Sequence, residues 1–159
     1  MRLYLLQHAK AMSKAQDPSR RLTAEGRQEA LRVARFLLPL GLRVDQCWHS
    51  GKPRAAETAE IFAQVLQVHA GPTARSGLAP DDNVAMLRDE LAVISDSTMI
   101  VGHMPFVAKL AALLLTGYET YPVVAFKNAG VVSLARSDDN RWQLEWAVTP
   151  DLLDHHAWT

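Results

Sequence analysis

Leu3-Tyr4-Leu5-Leu6-Gln7-His8-Ala9-Lys10 opens the chain with an apolar run that ends in a histidine, and Thr98-Met99-Ile100-Val101-Gly102-His103-Met104-Pro105 repeats that layout 95 residues later. Each apolar stretch has the length of a buried strand. In an open α/β sheet the carboxyl ends of parallel strands line one crevice, so two histidines that each close a strand can face one another across a ligand. This pair of segments predicts both the fold class and the place to look for chemistry.

The segments between them alternate in the same sense. Thr23 is suited to cap a helix whose Leu31, Ala34, Leu37 and Leu38 recur at helical spacing, with Pro39 and Gly41 as its stop. A second short strand is expected at Gln46–His49. Pro53 then opens a helix with the apolar stripe Ala55, Ala59, Phe62, Ala63 and Leu66, which puts Arg54 in its first turn. A third helix is predicted from near Pro80, with Val84, Leu87, Leu91 and Ile94 on one face. A fourth is predicted from near Pro105, with Val107, Leu110, Ala111 and Leu114. Val131–Ala135 and Trp142–Val148 flank Ser137-Asp138-Asp139-Asn140 and read as a β-hairpin. Strand and helix in alternation, closed by a hairpin, give a three-layer α/β/α sandwich with a mostly parallel sheet and an antiparallel C-terminal edge. At 159 residues, one domain spanning 1–159 is expected, large enough to bury about two thirds of its unfolded surface.

Seventeen basic and seventeen acidic residues cancel, so no broad positive field draws this chain to nucleic acid or to an anionic membrane, and any anion site has to be local. The single Cys47 forms no internal disulfide, in keeping with a reducing, cytoplasmic setting. The four-residue apolar run at the N-terminus is too short for a signal peptide, and Lys109 interrupts the Val107–Leu115 stretch, so no membrane span is expected.

A neutral imidazole attacks electrophiles without a separate base, and phosphorus is a suitable electrophile for it. A phosphoryl group in transfer spreads negative charge over three oxygens and needs several cationic or N–H donors around the nucleophile. Arg54, His103, Arg20 and Lys10 are the candidates, helped by the positive ends of the helices that start near Pro53 and Pro105.

Four segments carry a family resemblance: Leu6-Gln7-His8-Ala9-Lys10, Ser19-Arg20-Arg21-Leu22-Thr23-Ala24-Glu25-Gly26, Ser50-Gly51-Lys52-Pro53-Arg54-Ala55-Ala56-Glu57-Thr58-Ala59 and Val101-Gly102-His103-Met104-Pro105. In this order and spacing they resemble the histidine phosphatase (phosphoglycerate mutase-like) superfamily, and most of all its short SixA-type phosphohistidine phosphatases. The resemblance implies a phosphoglycerate mutase-like fold over the whole chain and a cofactor-independent, metal-free phosphatase. It implies that His8 becomes phosphorylated, that Arg54 and His103 contact phosphate, and that Arg20 closes over it. A phosphohistidine-bearing protein is the implied substrate.

One departure stands beside the nucleophile. The family carries arginine before that histidine, and this chain has Gln7, which donates only through a neutral amide. A hydrogen bond to a charged group contributes roughly 1.5–3 kcal/mol, so its loss slows turnover by roughly 10- to 100-fold unless Lys10 or Arg20 compensates. A phosphate- or phosphoprotein-binding domain with weakened or lost chemistry is therefore the alternative. An acid for the leaving group is the second question: Asp81 and Asp82 either stand in for it or cap the third helix. Without a strong acid the site favours an activated phosphate such as phosphohistidine.

Other readings of the same residues remain. Lys10 and Arg20 are phosphate contacts or solvated loop charges. Ser50 offers a hydroxyl or caps a turn, and Asn128, Ala129 and Gly130 border the pocket or form a turn. His49, His69, His155 and His156 carry no expected role. A cysteine phosphatase reading fails because its loop requires arginine six positions after Cys47, where Pro53 stands. No ligand pair has the tight spacing of zinc motifs.

Overall fold

The computed structural model describes residues 1–154, so His155 and His156 lie outside the described residues. The chain order is β1 (Arg2–Gln7), α1 (Ala24–Leu37), β2 (Gln46–His49), α2 (Pro53–Leu66), β3 (Pro72–Ala74), α3 (Val84–Leu91), β4 (Thr98–Gly102), α4 (Phe106–Thr116), β5 (Val131–Arg136) and β6 (Trp142–Val148). The six strands form one sheet in the order β3-β2-β4-β1-β5-β6. The β3, β2, β4 and β1 strands run parallel, while β5 and β6 are antiparallel additions beside β1.

The three layers follow from side-chain alternation along the strands. On β1, Tyr4 and Leu6 pack with Val33, Ala34 and Leu37 of α1 and with Ala55, Ala59 and Phe62 of α2. Leu3 and Leu5 point to the opposite face, against Leu87 and Leu91 of α3 and Val107, Leu110 and Ala111 of α4. The β4 strand divides in the same way, with Met99 and Val101 on one face and Ile100 on the other. It is buried at every position, as befits a central parallel strand covered on both sides. Truncating a leucine in such a layer to alanine costs about 2–5 kcal/mol.

The helix ends show why the elements begin where they do. Thr23 caps α1 by accepting the Gly26 N–H at 2.9 Å, as its sequence position predicts. Pro39 does not end the helix abruptly; a 3-10 turn over Leu38–Leu40 follows, and Gly41 closes it with a left-handed φ of 59°. The third helix starts later than predicted. Asp82 accepts the Ala79 N–H at 2.8 Å, which spends Pro80 to Asp82 in a turn, and Asn83 caps the helix by accepting the Ala85 N–H at 2.9 Å. Ile94 consequently falls beyond the helix and packs against the core from the loop.

Strand β3 escapes a sequence reading because it is three residues long, starts with proline and is largely exposed. Arg75, just after it, lies 4.0 Å over the Trp48 ring and forks onto Glu90 of α3 at 3.0 and 2.9 Å. These contacts fasten the sheet edge to α3. Among the described residues no helix is long and apolar enough to cross a membrane.

One close approach fixes α1 against the segment after β1. The Lys10 carbonyl accepts the Thr23 N–H at 2.9 Å, and a Cβ built on Gly26 would stand 2.2 Å from that same oxygen. Glycine inside a helix ordinarily costs up to about 1 kcal/mol relative to alanine; here backbone proximity reverses the sign. Gly26→Ala is expected to destabilise the fold by about 1–3 kcal/mol and to lower the melting temperature by several degrees in thermal denaturation. A rise in melting temperature would contradict the contact.

Candidate active site

Three neighbouring parallel strands end in a polar side chain at one rim. His8 follows β1, His103 follows β4 and Ser50 follows β2. The register pairs Gln7 with Gly102 and His49 with Val101, so these next residues meet by construction. The ladder continues one step further, with the His8 N–H donating to the Gly102 carbonyl at 3.0 Å. The two imidazoles lie 5.0 Å apart between centroids and are tilted by 53°. Both are nearly buried, at 9 % and 2 % exposure.

His8 is held in one tautomer. Its Nδ1 lies 2.7 Å from the Ala9 carbonyl oxygen. A carbonyl only accepts, so Nδ1 carries the hydrogen and Nε2 of the neutral ring keeps its lone pair. Burial pushes the His8 pKa below the ordinary histidine value, against the Ala9 bond that raises it, and Arg54 and Arg20 push the same way as burial. For His103, burial is again the largest cause, followed by His8, Arg54, Lys52 and Arg20, and the pKa falls to about 3. Both rings are neutral at pH 7.

Arg54 sits in the first turn of α2, and Thr58 one turn later couples it to the nucleophile's loop. The Thr58 hydroxyl donates to the Arg54 carbonyl at 2.7 Å and accepts the Ala9 N–H at 2.9 Å. Asn128 holds the other side, its Nδ2 donating to the His8 carbonyl at 2.8 Å. The loop that carries it is tight: Ala129 has a φ of 60°, and a Cβ on Gly130 would lie 2.9 Å from the Lys127 carbonyl oxygen.

The electrostatics of this rim would suit an anion. Arg54 Nε is buried with no partner among the described residues, and burial and Arg20 both depress its pKa. Among the described residues no carboxylate offsets that repulsion. An unpaired buried donor costs about 1–3 kcal/mol, and an oxyanion at this rim removes the penalty while neutralising the crowded cations. The α2 and α4 helices begin three residues after Ser50 and His103, adding positive dipole ends to the same rim.

The remaining candidates divide. Arg20 contributes to this field; a left-handed φ of 51° and an Nε–H bond to the Met12 carbonyl at 3.1 Å fix its place. Lys10 instead pairs with Glu25 at 2.7 Å on the exposed surface. Gln7 and Lys10 line an adjacent cleft of about 470 Å³ with Glu29, Phe126, Lys127 and Asn128. Asp82 lines a different hollow, beside Arg75, Leu78 and Met86, with its carboxylate engaged by the Ala79 N–H. Cys47 is buried, and its thiol pKa is pushed up to about 12. Among the described residues no three His, Cys, Asp or Glu side chains are grouped to hold a metal ion.

Four residues make contacts around the two histidines that the sequence did not assign to them. Ser50 bonds His103 Nε2 at 2.6 Å as well as serving its turn, where Lys52 N–H donates to it at 3.3 Å. Lys52 adds a charge near His103. Thr58 and Asn128 tie down the backbone around His8. Ser50 and Asn128 were weighed individually in the sequence, whereas Lys52 and Thr58 stand in the Ser50–Ala59 segment without an assigned role. His49, expected to carry no role, is buried and accepts the Gly51 N–H at 3.1 Å through Nδ1.

Comparison with known proteins agrees with this fold. The family model of the histidine phosphatase superfamily (branch 1) matches residues 3–79, which hold His8, Arg20 and Arg54. The phosphohistidine phosphatase SixA of Escherichia coli strain K12 is 24 % identical over 155 residues, covering 94 % of each chain. The fold superposes on a structure of the protein histidine phosphatase SixA complexed with tungstate with a TM-score of 0.86, at 23 % identity, over 97 % of this chain and 100 % of that one. It also matches a mycobacterial glucosyl-3-phosphoglycerate phosphatase with a TM-score of 0.72, at 17 % identity, over 91 % of this chain and 97 % of that one. His103 lies beyond the family-model match, but the superposition on SixA takes in nearly the whole chain. The α/β sandwich is thus the fold of these structures, and the segment 3–79 is similar to the histidine phosphatase superfamily (branch 1).

Proposed function

We propose that the chain is a single-domain phosphohistidine phosphatase that works in two steps without a metal or cofactor. In the first step the His8 Nε2 lone pair attacks phosphorus, the N–P bond of the substrate breaks, and a protonated substrate nitrogen departs as neutral imidazole. In the second, water attacks phospho-His8, releasing inorganic phosphate and regenerating the free ring. Arg54, His103 and Arg20 hold the phosphoryl oxygens, while Lys10 and Gln7 border the approach. The observation that carries this reading is the bond from His8 Nδ1–H to the Ala9 carbonyl, which turns the reactive lone pair of a neutral imidazole away from that carbonyl.

The substrate class follows from the leaving group. Phosphoramidate cleavage needs no strong acid, whereas an alkoxide does, and the Asp82 carboxylate is occupied in its turn. SixA of Escherichia coli is named as a phosphohistidine phosphatase, and a phosphohistidine-bearing protein of the cytoplasm is accordingly the substrate proposed here. Gln7 supports a second reading, a domain of this fold that binds phosphate or a phosphoprotein with little turnover. It stands where the resemblance places a charged donor.

Phosphate release from a phosphohistidine protein and from an aryl phosphate, measured in chelator, tests both readings. Turnover and an acid-labile phosphoenzyme are expected in the wild type and absent in His8→Ala. Arg54→Ala is expected to lose about 100-fold or more in kcat/KM, and Gln7→Arg to gain about 10-fold. A wild type that is inactive until Gln7→Arg is introduced would establish the binding-domain reading.

The pH profile is a separate check. A histidine whose folded pKa is lowered stays unprotonated below its ordinary value, so the nucleophile survives into acid. The acid limb of kcat/KM is expected below about pH 6.5, with activity level between neutral pH and that point. An acid limb above it would contradict a buried, neutral His8 flanked by cations.

A further inference from the structure

We infer that Asp17 is a positioning residue for phosphate binding: it holds Arg20 in a left-handed backbone conformation beside the His8 rim, while Arg21 neutralises its carboxylate and leaves the Arg20 charge for an oxyanion. The inference rests on the reading of that rim as a phosphate site.

The segment from Ala11 to Leu22 is a closed loop. An antiparallel bridge pairs Ala11 with Leu22, the Met12 N–H donates to the Arg21 carbonyl at 2.8 Å, and Leu22 is fully buried. Within the loop Asp17 is only 8 % exposed, which an aspartate tolerates when its oxygens are paired. Its Oδ1 accepts the Ser19 N–H at 3.1 Å, and its Oδ2 accepts the Arg21 N–H at 3.1 Å and the Arg21 Nε–H at 3.0 Å. Its carbonyl accepts the Arg20 N–H at 2.9 Å. Three consecutive backbone N–H groups thus converge on one residue, and the middle one belongs to Arg20.

That convergence accounts for a backbone the residue type disfavours. Arg20 has a φ of 51°, in a region that side chains with a Cβ avoid and that persists only where the surroundings over-determine it. Its side chain is held too: Nε donates to the Met12 carbonyl at 3.1 Å, which leaves both terminal nitrogens for an anion. The charges are partitioned between neighbours. Asp17 pairs with Arg21, not with Arg20, and that bond holds its carboxyl below the usual carboxylate range. A carboxylate paired with Arg20 would offset the charge that reaches His8, Arg54 and His103; paired with Arg21 it does not.

Titration with inorganic phosphate of the wild type, Asp17→Ala, Arg20→Ala and the double variant tests this without reference to turnover. Releasing a residue from the left-handed region lowers the fraction of molecules ready to bind, so Asp17→Ala is expected to weaken phosphate binding by about 5- to 30-fold. In the Arg20→Ala background the same substitution is expected to change affinity by less than about 2-fold, because Asp17 then has nothing to position. Asp17→Asn, which keeps one acceptor oxygen, is expected to fall between wild type and Asp17→Ala, and it serves for the same comparison if Asp17→Ala does not fold. An equal loss in both backgrounds marks a general structural defect and overturns the proposal, as does a phosphate affinity that either Arg20→Ala or the Asp17 variants leave unchanged. Coupled Asp17 and Arg20 effects in a protein that releases no phosphate from any substrate would support the role of Asp17 and remove the phosphatase reading.

Discussion

The parallel pairing of β1 with β4, in the register that sets Gln7 beside Gly102, is the constraint on which the site depends. Because the ladder extends to the His8 N–H, the two histidines are neighbours across a hydrogen-bonded pair of strands. A slip of one residue would send His8 to the other face of the sheet and exchange the two cores. The alternation of Leu3, Tyr4, Leu5 and Leu6 between those cores protects against that slip. Burial of ordinary apolar side chains thereby fixes the position of a reactive one.

Around that pairing the protein tolerates local unfavourable terms. Among the described residues two buried side-chain polar atoms, Arg54 Nε and His103 Nδ1, lack partners, and Arg54 and Arg20 repel each other across the same rim. A domain whose net stability amounts to only about 5–15 kcal/mol keeps such terms where the surroundings hold the groups in place. Thr58 and Asn128 provide that hold, fastening the backbone on either side of His8 to α2 and to the loop before β5. The pre-set tautomer of His8 belongs to the same arrangement, and in the proposed reaction a nucleophile that is already oriented would need no reorganisation.

Likeness of fold does not select the substrate. Structures named for a protein histidine phosphatase and for a sugar-acid phosphatase both superpose on this chain. What can distinguish proteins of such a fold is the rim, and here the rim has a glutamine next to His8, while the Asp82 carboxylate is engaged in a turn that lines another hollow.

By itself the sequence determined the alternation of strands and helices, the antiparallel hairpin at the end, and the coincidence of His8 and His103 with strand ends. Each of these depends on periodicity and end signals that neighbouring residues carry. It also located Arg54 in a first helical turn, through Pro53. The start of α3, the short strand β3 and the separation of Lys10 and Gln7 from the cationic cluster were settled by tertiary contacts. Asp82 prefers a turn amide to a helix start, Pro72–Ala74 is a strand only because β2 lies beside it, and Lys10 pairs with Glu25 on the exposed surface. The tautomer of His8 and the engagement of Ser50 were likewise beyond the sequence, because a hydrogen position depends on which carbonyl or hydroxyl the folded chain brings within 3 Å.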